Sequence, residues 1–200
     1  MTIVVSAKDK DIVCKVINQG GVVAFPTETV YGVGVKFGSK KALDQLMKAK
    51  GRDYSKAITL MVADKEDIEK YAYVSDEAKK LIKYFMPGML TLVFKRKESV
   101  DSAMTNGKET IGIRIPNNEY VLSILKRVGP MLVTSANLSR HPNTTSTREV
   151  LDQLDGRIDV VVDGKTYDNI ASTVVDVSGE ELKILREGKI SRRKIEEVLK

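Results

Sequence analysis

Apolar residues follow two alternating patterns along the chain: short β-branched runs, and stretches in which apolar positions recur three and four residues apart. The short runs predict strands over residues 3–5, 22–25, 58–62, 89–94, 110–115, 131–133, 158–162, 172–177 and 182–185. The helical stretches lie between them. Ser6 with Asp9 reads as a capping box opening a helix that Gly20 and Gly21 close. Ser39 caps a second helix, carrying Leu43, Leu46 and Met47 and ending at Lys50-Gly51-Arg52. A charged helical turn covers residues 64–70, and a helix over 75–85 is broken by Pro87-Gly88. Asn117 caps a helix through Val121, Ile124 and Leu125 that Gly129-Pro130 ends. Ser146 with Glu149 opens another helix, to Leu154, and residues 191–200 form a last amphipathic one. No repeat or linker-like tract separates these elements, so a single α/β domain over residues 1–200 with a mixed sheet is expected.

The stretch GGVVAFPTETVYGVG, residues 20–34, changes character most abruptly. Its apolar run stops at Pro26, which cannot donate to a ladder and restricts the residue before it. Thr27, Glu28, Thr29 and Tyr31 then set three hydroxyls and a carboxylate at the carboxyl end of a buried strand, where open α/β sheets bind ligands. Gly32 and Gly34 let the backbone approach a neighbour closely. A well-capped turn, with threonines bonding their own backbone, accounts for the same residues.

Composition adds little that is specific. Of 200 residues, 42% are hydrophobic and 6% aromatic, ordinary for a soluble α/β protein. The single cysteine, Cys14, excludes an intrachain disulfide and a cysteine-based zinc cluster, which suggests a reducing compartment. The amino terminus lacks a basic region leading into an apolar core, and no run of about 18 apolar residues occurs. Neither signal peptide nor membrane span is therefore expected, and the cytoplasm is the expected location. Lys and Arg exceed Asp and Glu by 33 to 27, a net charge of +6, which suits an anionic partner such as nucleotide or RNA.

Several chemistries are excluded by inspection. His141 is the only histidine and sits in a loop, so neither a histidine metal site nor a histidine-driven nucleophile fits, and no metal ligands are assigned. There is no Walker loop, and Phe37 stands where a dinucleotide fingerprint needs its third glycine. The cluster Lys95-Arg96-Lys97 reads as a solvated hairpin end. What remains is a set of strand exits bearing hydroxyls, amides and cations: Thr27 and Thr29, Lys50 and Arg52, Arg114, residues 134–137, Ser172 and Thr173, and Arg186. Cations beside small hydroxyls suit a site that holds several anions and stabilises charge during group transfer.

The segments PTETVYG (26–32), KGR (50–52), PGMLTLVF (87–94), IGIRIP (111–116), TSANLS (134–139), ASTVVD (171–176) and LREG (185–188) resemble, in order and spacing, the YrdC/TsaC family of threonylcarbamoyl-AMP synthases. The resemblance implies a YrdC-like open twisted mixed sheet with helices on both faces and a concave basic pocket. It implies a reaction of L-threonine, bicarbonate and ATP, assisted by Mg2+, giving threonylcarbamoyl-AMP and pyrophosphate. That product feeds modification of the adenosine following the anticodon, through a tRNA threonylcarbamoyl-transfer machinery, with possible tRNA contact at the basic face. By the same resemblance Lys50, Arg52, Ser135 and Asn137 form the catalytic KxR and SxN elements. Thr27, Thr29, Tyr31, Arg114, Thr134 and Ser172 would line the threonine side. Lys50, Arg52, Thr110, Ala136, Thr144 and Arg186 would line the ATP side. In this reading Arg114 forks onto the amino-acid carboxylate, Asn137 orients the carbamate, and Lys50→Ala lowers the rate without moving the melting temperature.

Three positions depart from the family pattern: Asp53 and Ala57 replace prolines, and Arg140 replaces a glycine. Asp53 beside Arg52 is a potential competitor for its guanidinium. The chain stops near Lys200, so a second domain like that of longer relatives is not expected. Two other classes remain open: a YrdC-like module that binds double-stranded RNA or tRNA without chemistry, and a domain that forms carbamoyl adenylate from carbamoyl phosphate.

Overall fold

The apolar runs pair into one mixed ten-stranded sheet in the computed structural model, which describes residues 1–166 and 168–200. The strands are β1 (Ile3–Val5), β2 (Val23–Phe25), β3 (Gly32–Lys36), β4 (Thr59–Met61), β5 (Leu90–Lys95), β6 (Thr110–Arg114), β7 (Met131–Ser135), β8 (Val160–Val162), β9 (Thr173–Asp176) and β10 (Lys183–Arg186). Their order is β1-β8-β2-β3-β7-β4-β6-β5-β9-β10. The helices are α1 (Lys10–Asn18), α2 (Lys40–Lys50), α3 (Ile68–Tyr71), α4 (Asp76–Phe85), α5 (Glu119–Val128), α6 (Thr147–Leu154) and α7 (Arg192–Leu199).

Strand residues alternate between two apolar clusters, as a period of two requires. Ala24, Leu60, Leu92, Ile113, Leu132 and Val161 face the larger cluster, with side chains from α2, α4, α6 and α7. Val23, Phe25, Met61, Met131, Val133 and Val160 face the smaller one, which is closed by α1 and α5. Helices thus cover both faces, but unequally. The smaller cluster ends at Met61 in β4, while β6, β5 and β9 continue the sheet beyond it. This uncovered half-face becomes the floor of the site.

Most helix ends follow the expected chemistry. The side chains of Ser39, Ser75, Ser146 and Ser191 each accept an amide at the start of a helix. Gly20, at φ 86°, follows α1, and the amides of Gly20 and Gly21 bond the carbonyls of Ile17 and Val16.

Four expectations need correction. The helix α1 begins at Lys10: Ser6 binds the amide of Lys8 and the Asp9 carboxylate binds the Ser6 amide, so the box closes a turn and caps nothing. Asn118, not Asn117, caps α5 through the amide of Val121. The segment after the threonine-rich turn is strand β3, hidden because glycines replace its apolar positions. Gly34 lies where a Cβ would come 2.8 Å from Val133 Cγ2 and 2.9 Å from the Leu132 carbonyl, so the sheet needs the missing side chain. Arg96 is folded inward, donating to the carbonyls of Lys108 and Val100, and the half-buried Lys97 donates its ammonium to the Glu69 carbonyl, so of the three only Lys95 is solvated.

Gly34→Ala is therefore expected to lower the unfolding free energy by about 1–3 kcal/mol, because backbone blocks the new methyl. Gly179→Ala, with nothing within 4 Å, should stay within about 0.5 kcal/mol. Urea midpoints of the two variants check this, and equal midpoints would refute the steric account.

Candidate active site

A cavity of about 240 Å³ opens over the uncovered half-face. Its floor is small because alternate residues of the floor strands are small: Thr59, Gly112, Thr91 and Val174. Its rim comes from strand exits. The β2–β3 turn supplies Thr27 and Thr29, β6 supplies Arg114, β7 supplies Thr134 and Ser135, the start of β9 supplies Ser172, and β10 supplies Arg186. Arg52, just past α2, lines it as well. Three guanidiniums therefore share one cavity, and among the described residues no carboxylate lines it.

Arg114 is buried and heavily engaged. Its Nε donates to the Gly88 carbonyl at 3.1 Å. Its Nη2 donates to Glu28 Oε1 at 2.7 Å and to Thr29 Oγ1 at 3.1 Å. Glu28 Oε1 also accepts the Asn117 amide at 2.9 Å. The expected two-armed fork is thus not free: three of the five N–H groups are committed, and only Nη1 has no partner among the described residues.

The threonine hydroxyls form a chain with one direction. Thr27 donates to the Val30 carbonyl at 2.8 Å, so the 2.9 Å contact between the two hydroxyls must have Thr29 as donor. Thr29 in turn accepts from Arg114. Both protons are spent within the protein, and Thr27 Oγ1 already accepts the hydroxyl and the amide of Thr29, so one lone pair of Thr29 Oγ1 is what this pair leaves for a ligand. The bland reading of this turn, threonines bonding backbone, is therefore correct in part: the Thr29 amide donates to Thr27 Oγ1 at 3.1 Å.

On β10, Arg186 donates through Nε and Nη2 to the Ser172 carbonyl, and Ser172 Oγ lies 2.8 Å from Thr91 Oγ1. Burial lowers the pKa of Arg186, and the nearby Arg114 charge adds to this. Burial lowers that of Arg52 too, whose Nε has no partner among the described residues. Guanidiniums hold their charge under such a shift, so both would gain from a bound anion. Arg52 Nη2 donates to the Ala57 carbonyl, while Asp53 accepts the Ser55 amide, so Asp53 leaves the guanidinium alone.

Several residues expected at the site lie behind its wall. Lys50 is only 1% exposed, and its ammonium donates to the carbonyls of Ser135 and Asn137. Burial, with Arg52 and Lys56 nearby, pushes its pKa down to about 7. Lys50 thus holds the β7 exit against the end of α2 and does not reach the cavity. The Asn137 amide donates to the carbonyls of Leu138 and His141, shaping the following loop, in which Arg140 takes φ 70°. Ala136 donates its amide to the Tyr31 carbonyl and accepts the Thr144 hydroxyl, so both Ala136 and Thr144 serve the wall. Tyr31 lines the cavity, but its hydroxyl points into the core, bonding the Val162 carbonyl and Thr147. Thr110 shares a face with Gly112 and Arg114 but stands at the other end of β6, roughly 13 Å from Arg114 by strand rise, outside the cavity lining. Cys14 is buried and His141 exposed, as expected.

The sequence reading passed over Thr91, Asn143 and the role of Glu28. Thr91 had a signal, a lone hydroxyl inside an apolar strand; Asn143 had none, being one polar residue in a polar loop.

Comparison with known proteins adds an independent line. The Sua5/yciO/yrdC family, described as Telomere recombination, matches residues 15–188. A threonylcarbamoyl-AMP synthase of Pyrococcus abyssi is 34% identical over 208 residues, covering 100% of this chain and 61% of that protein. A putative threonylcarbamoyl-AMP synthase of Methanocaldococcus jannaschii is 34% identical over 182 residues, covering 90% of this chain and 86% of that one. The crystal structure of Pyrococcus abyssi Sua5 complexed with L-threonine superposes with a TM-score of 0.94 at 33% identity, over 98% of this chain and 61% of that one. The chain spans about three fifths of the Pyrococcus protein.

Lys50 generates a prediction opposite to the one from sequence. Lys50→Ala strips two carbonyls of their donor and opens a cavity, so it should cost about 2–4 kcal/mol of stability. The lowered pKa also has a sign. Between about 7 and the ordinary value of 10.5 the unfolded chain binds the extra proton, so wild-type stability should rise with pH across that window, and Lys50→Met should lack this rise. Urea unfolding of both proteins at several pH values checks it; parallel curves would refute the assignment.

Proposed function

The chain belongs to the Sua5/yciO/yrdC family, and on that premise we propose that it is a threonylcarbamoyl-AMP synthase, joining L-threonine, bicarbonate and ATP. One observation carries the reading: a single cavity gathers Arg114 with the Thr27 and Thr29 hydroxyls, Arg186 beside Ser172, and Arg52 beside Ala57. An amino acid and a polyphosphate can therefore lie in contact.

In this reading the threonine carboxylate meets Arg114 Nη1 and the hydroxyl of Ser172, and its β-hydroxyl donates to the remaining lone pair of Thr29 Oγ1. The amine and bicarbonate give a carbamate and water. A carbamate oxygen attacks the α-phosphorus of ATP, the bond to the β-phosphate oxygen breaks, and pyrophosphate leaves. The carbamate is already an anion, so alignment and charge matter more than a base. Arg52 and Arg186 offset the phosphate charge that shifts toward the leaving group. Magnesium would enter with the nucleotide substrate, since Mg2+ commonly rides on phosphates with its waters; among the described residues no group of three His, Cys, Asp or Glu could hold an ion.

Lys50 and Asn137 act from behind, fixing the Ser135 exit and the loop that carries Asn143. We take residues 1–200 as one working unit. The product would pass to a transfer machinery that modifies the adenosine following the anticodon in tRNA. Among the described residues no helix is long and apolar enough to cross a membrane, which agrees with a cytoplasmic setting.

Pyrophosphate release from ATP should require both L-threonine and bicarbonate. L-serine should serve less well and L-valine hardly at all, since an analogue without the hydroxyl leaves the buried lone pair of Thr29 unmet. Arg52→Ala and Arg186→Ala should each slow release on the order of a hundredfold while threonine still binds. Release that ignores threonine and needs carbamoyl phosphate would replace this reading, as would tRNA binding without ATP turnover.

A further inference from the structure

Arg186 stands on the least secured strand of the sheet. The edge strand β10 has three of its four residues exposed, so burial does little to fix its register against β9. Yet that register decides where Arg186 points. Lys183 lies opposite Asp176 and Ile184 opposite Val175, but it is Arg186, and not Leu185, that lies opposite Val174. Leu185 is therefore an extra residue, a bulge turned out to solvent. Directly opposed residues share a face of the sheet, and Val174 lines the cavity. Without the bulge Arg186 would stand opposite Thr173 and turn to the other face.

Thr173 is placed to hold that register. It alternates with Ser172 and Val174, which line the cavity, so its fully buried side chain leaves the sheet on the opposite face. Its hydroxyl donates to the Ile190 carbonyl at 2.7 Å and accepts the amides of Gly188 at 2.9 Å and Ile190 at 3.1 Å. Those three bonds are the full capacity of a hydroxyl. Gly188 is pressed so closely on the start of β9 that a Cβ there would come 2.7 Å from the Thr173 amide nitrogen and 2.8 Å from the Ser172 carbonyl carbon. On the cavity face Arg186 donates to the Ser172 carbonyl from Nε at 3.1 Å and Nη2 at 2.8 Å. Residues 186–190 thus close round Ser172 and Thr173 from both faces. We propose that Thr173 is a positioning residue: by pinning Gly188 and Ile190 it holds the bulge at Leu185 and keeps Arg186 turned toward the phosphates. The inference rests on the synthase reading and adds to it a residue that touches no substrate.

A double-mutant cycle on pyrophosphate release from ATP tests it, with Arg186→Ala and with Thr173→Val, which keeps the shape of the side chain and removes its hydroxyl. In the otherwise wild-type chain Thr173→Val should slow release roughly ten- to a hundredfold, as a displaced guanidinium would. In the Arg186→Ala chain, where no guanidinium is left to place, the same change should cost less than about twofold. Thr173→Ser, which keeps the hydroxyl, should restore most of the rate. Equal losses in both backgrounds, or a serine variant as slow as the valine one, would overturn the inference, because a residue that only stabilises the fold behaves in that way. A second measurement leaves Thr173 untouched. An anion held by Arg186 should tighten the segment that places it, so saturating inorganic pyrophosphate should slow hydrogen exchange at the Gly188 and Ile190 amides roughly tenfold more than at the amides of β3. Arg186→Ala should abolish this difference. Uniform slowing in the wild-type protein would overturn the inference and leave the synthase reading standing. A wild-type protein that shows the exchange effect but releases no pyrophosphate from ATP with L-threonine and bicarbonate would overturn the synthase reading and leave Thr173 as the residue that positions Arg186.

Discussion

A β-strand can hide only every second side chain on a given face, and this rule governs the molecule. In β4, β5, β6 and β9 one set of alternate residues is apolar and closed under helices. The other set must face the opposite side, where α1 and α5 end before reaching them. Over the floor those positions hold Thr59, Thr91, Val93, Gly112 and Val174, with larger side chains only at Met61 and Arg114, so the uncovered half-face is a shallow basin and not a second core. The site is what remains when one face of a sheet is incompletely covered, and the strand exits around it need only point inward.

Much of this was legible in the chain. Strands ending in Thr, Ser, Arg and Asn stood out against apolar runs, and the ones that line the cavity were the ones so marked, Thr27, Arg114, Ser135 and Ser172 among them. What could not be read was direction. Lys50 lies in a motif with Arg52, and two residues along a chain leaving a helix are enough to send one side chain into the wall and the other into the cavity. Tyr31 shows the same limit, since its ring borders the site while its hydroxyl serves β8. Strand β3 escaped notice because its pattern is written in glycines, which carry no hydropathy signal. Arg140 was visible as a departure from the family glycine, and its φ of 70° gives the physical reason a glycine suits that position.

Hydrogen bonding gives the rim an order that residue types alone do not convey. From Arg114 through Thr29 and Thr27 to the Val30 carbonyl, each group accepts from one neighbour and donates to the next. Such a run cannot reverse without leaving Arg114 facing a hydroxyl proton, so the polarity of this wall is fixed before any ligand arrives. Lys50 does something similar for the β7 exit: a cation at the head of two carbonyls holds backbone that would otherwise lack this donor.

The place of β8 has a consequence for how the chain is assembled. It lies between β1 and β2, pairing in parallel with both, with Val160 opposite Ile3 on one side and Val23 on the other. The first two strands to be synthesised are therefore not neighbours, and β1 has no partner in the sheet until residues 160–162 have been made. At common rates of synthesis, on the order of 5–20 residues per second, that strand waits for many seconds. The amino-terminal edge is thus among the last parts of the sheet to close, and a nascent chain cut short before β8 would leave the valines of β1 and β2 without the strand that joins them.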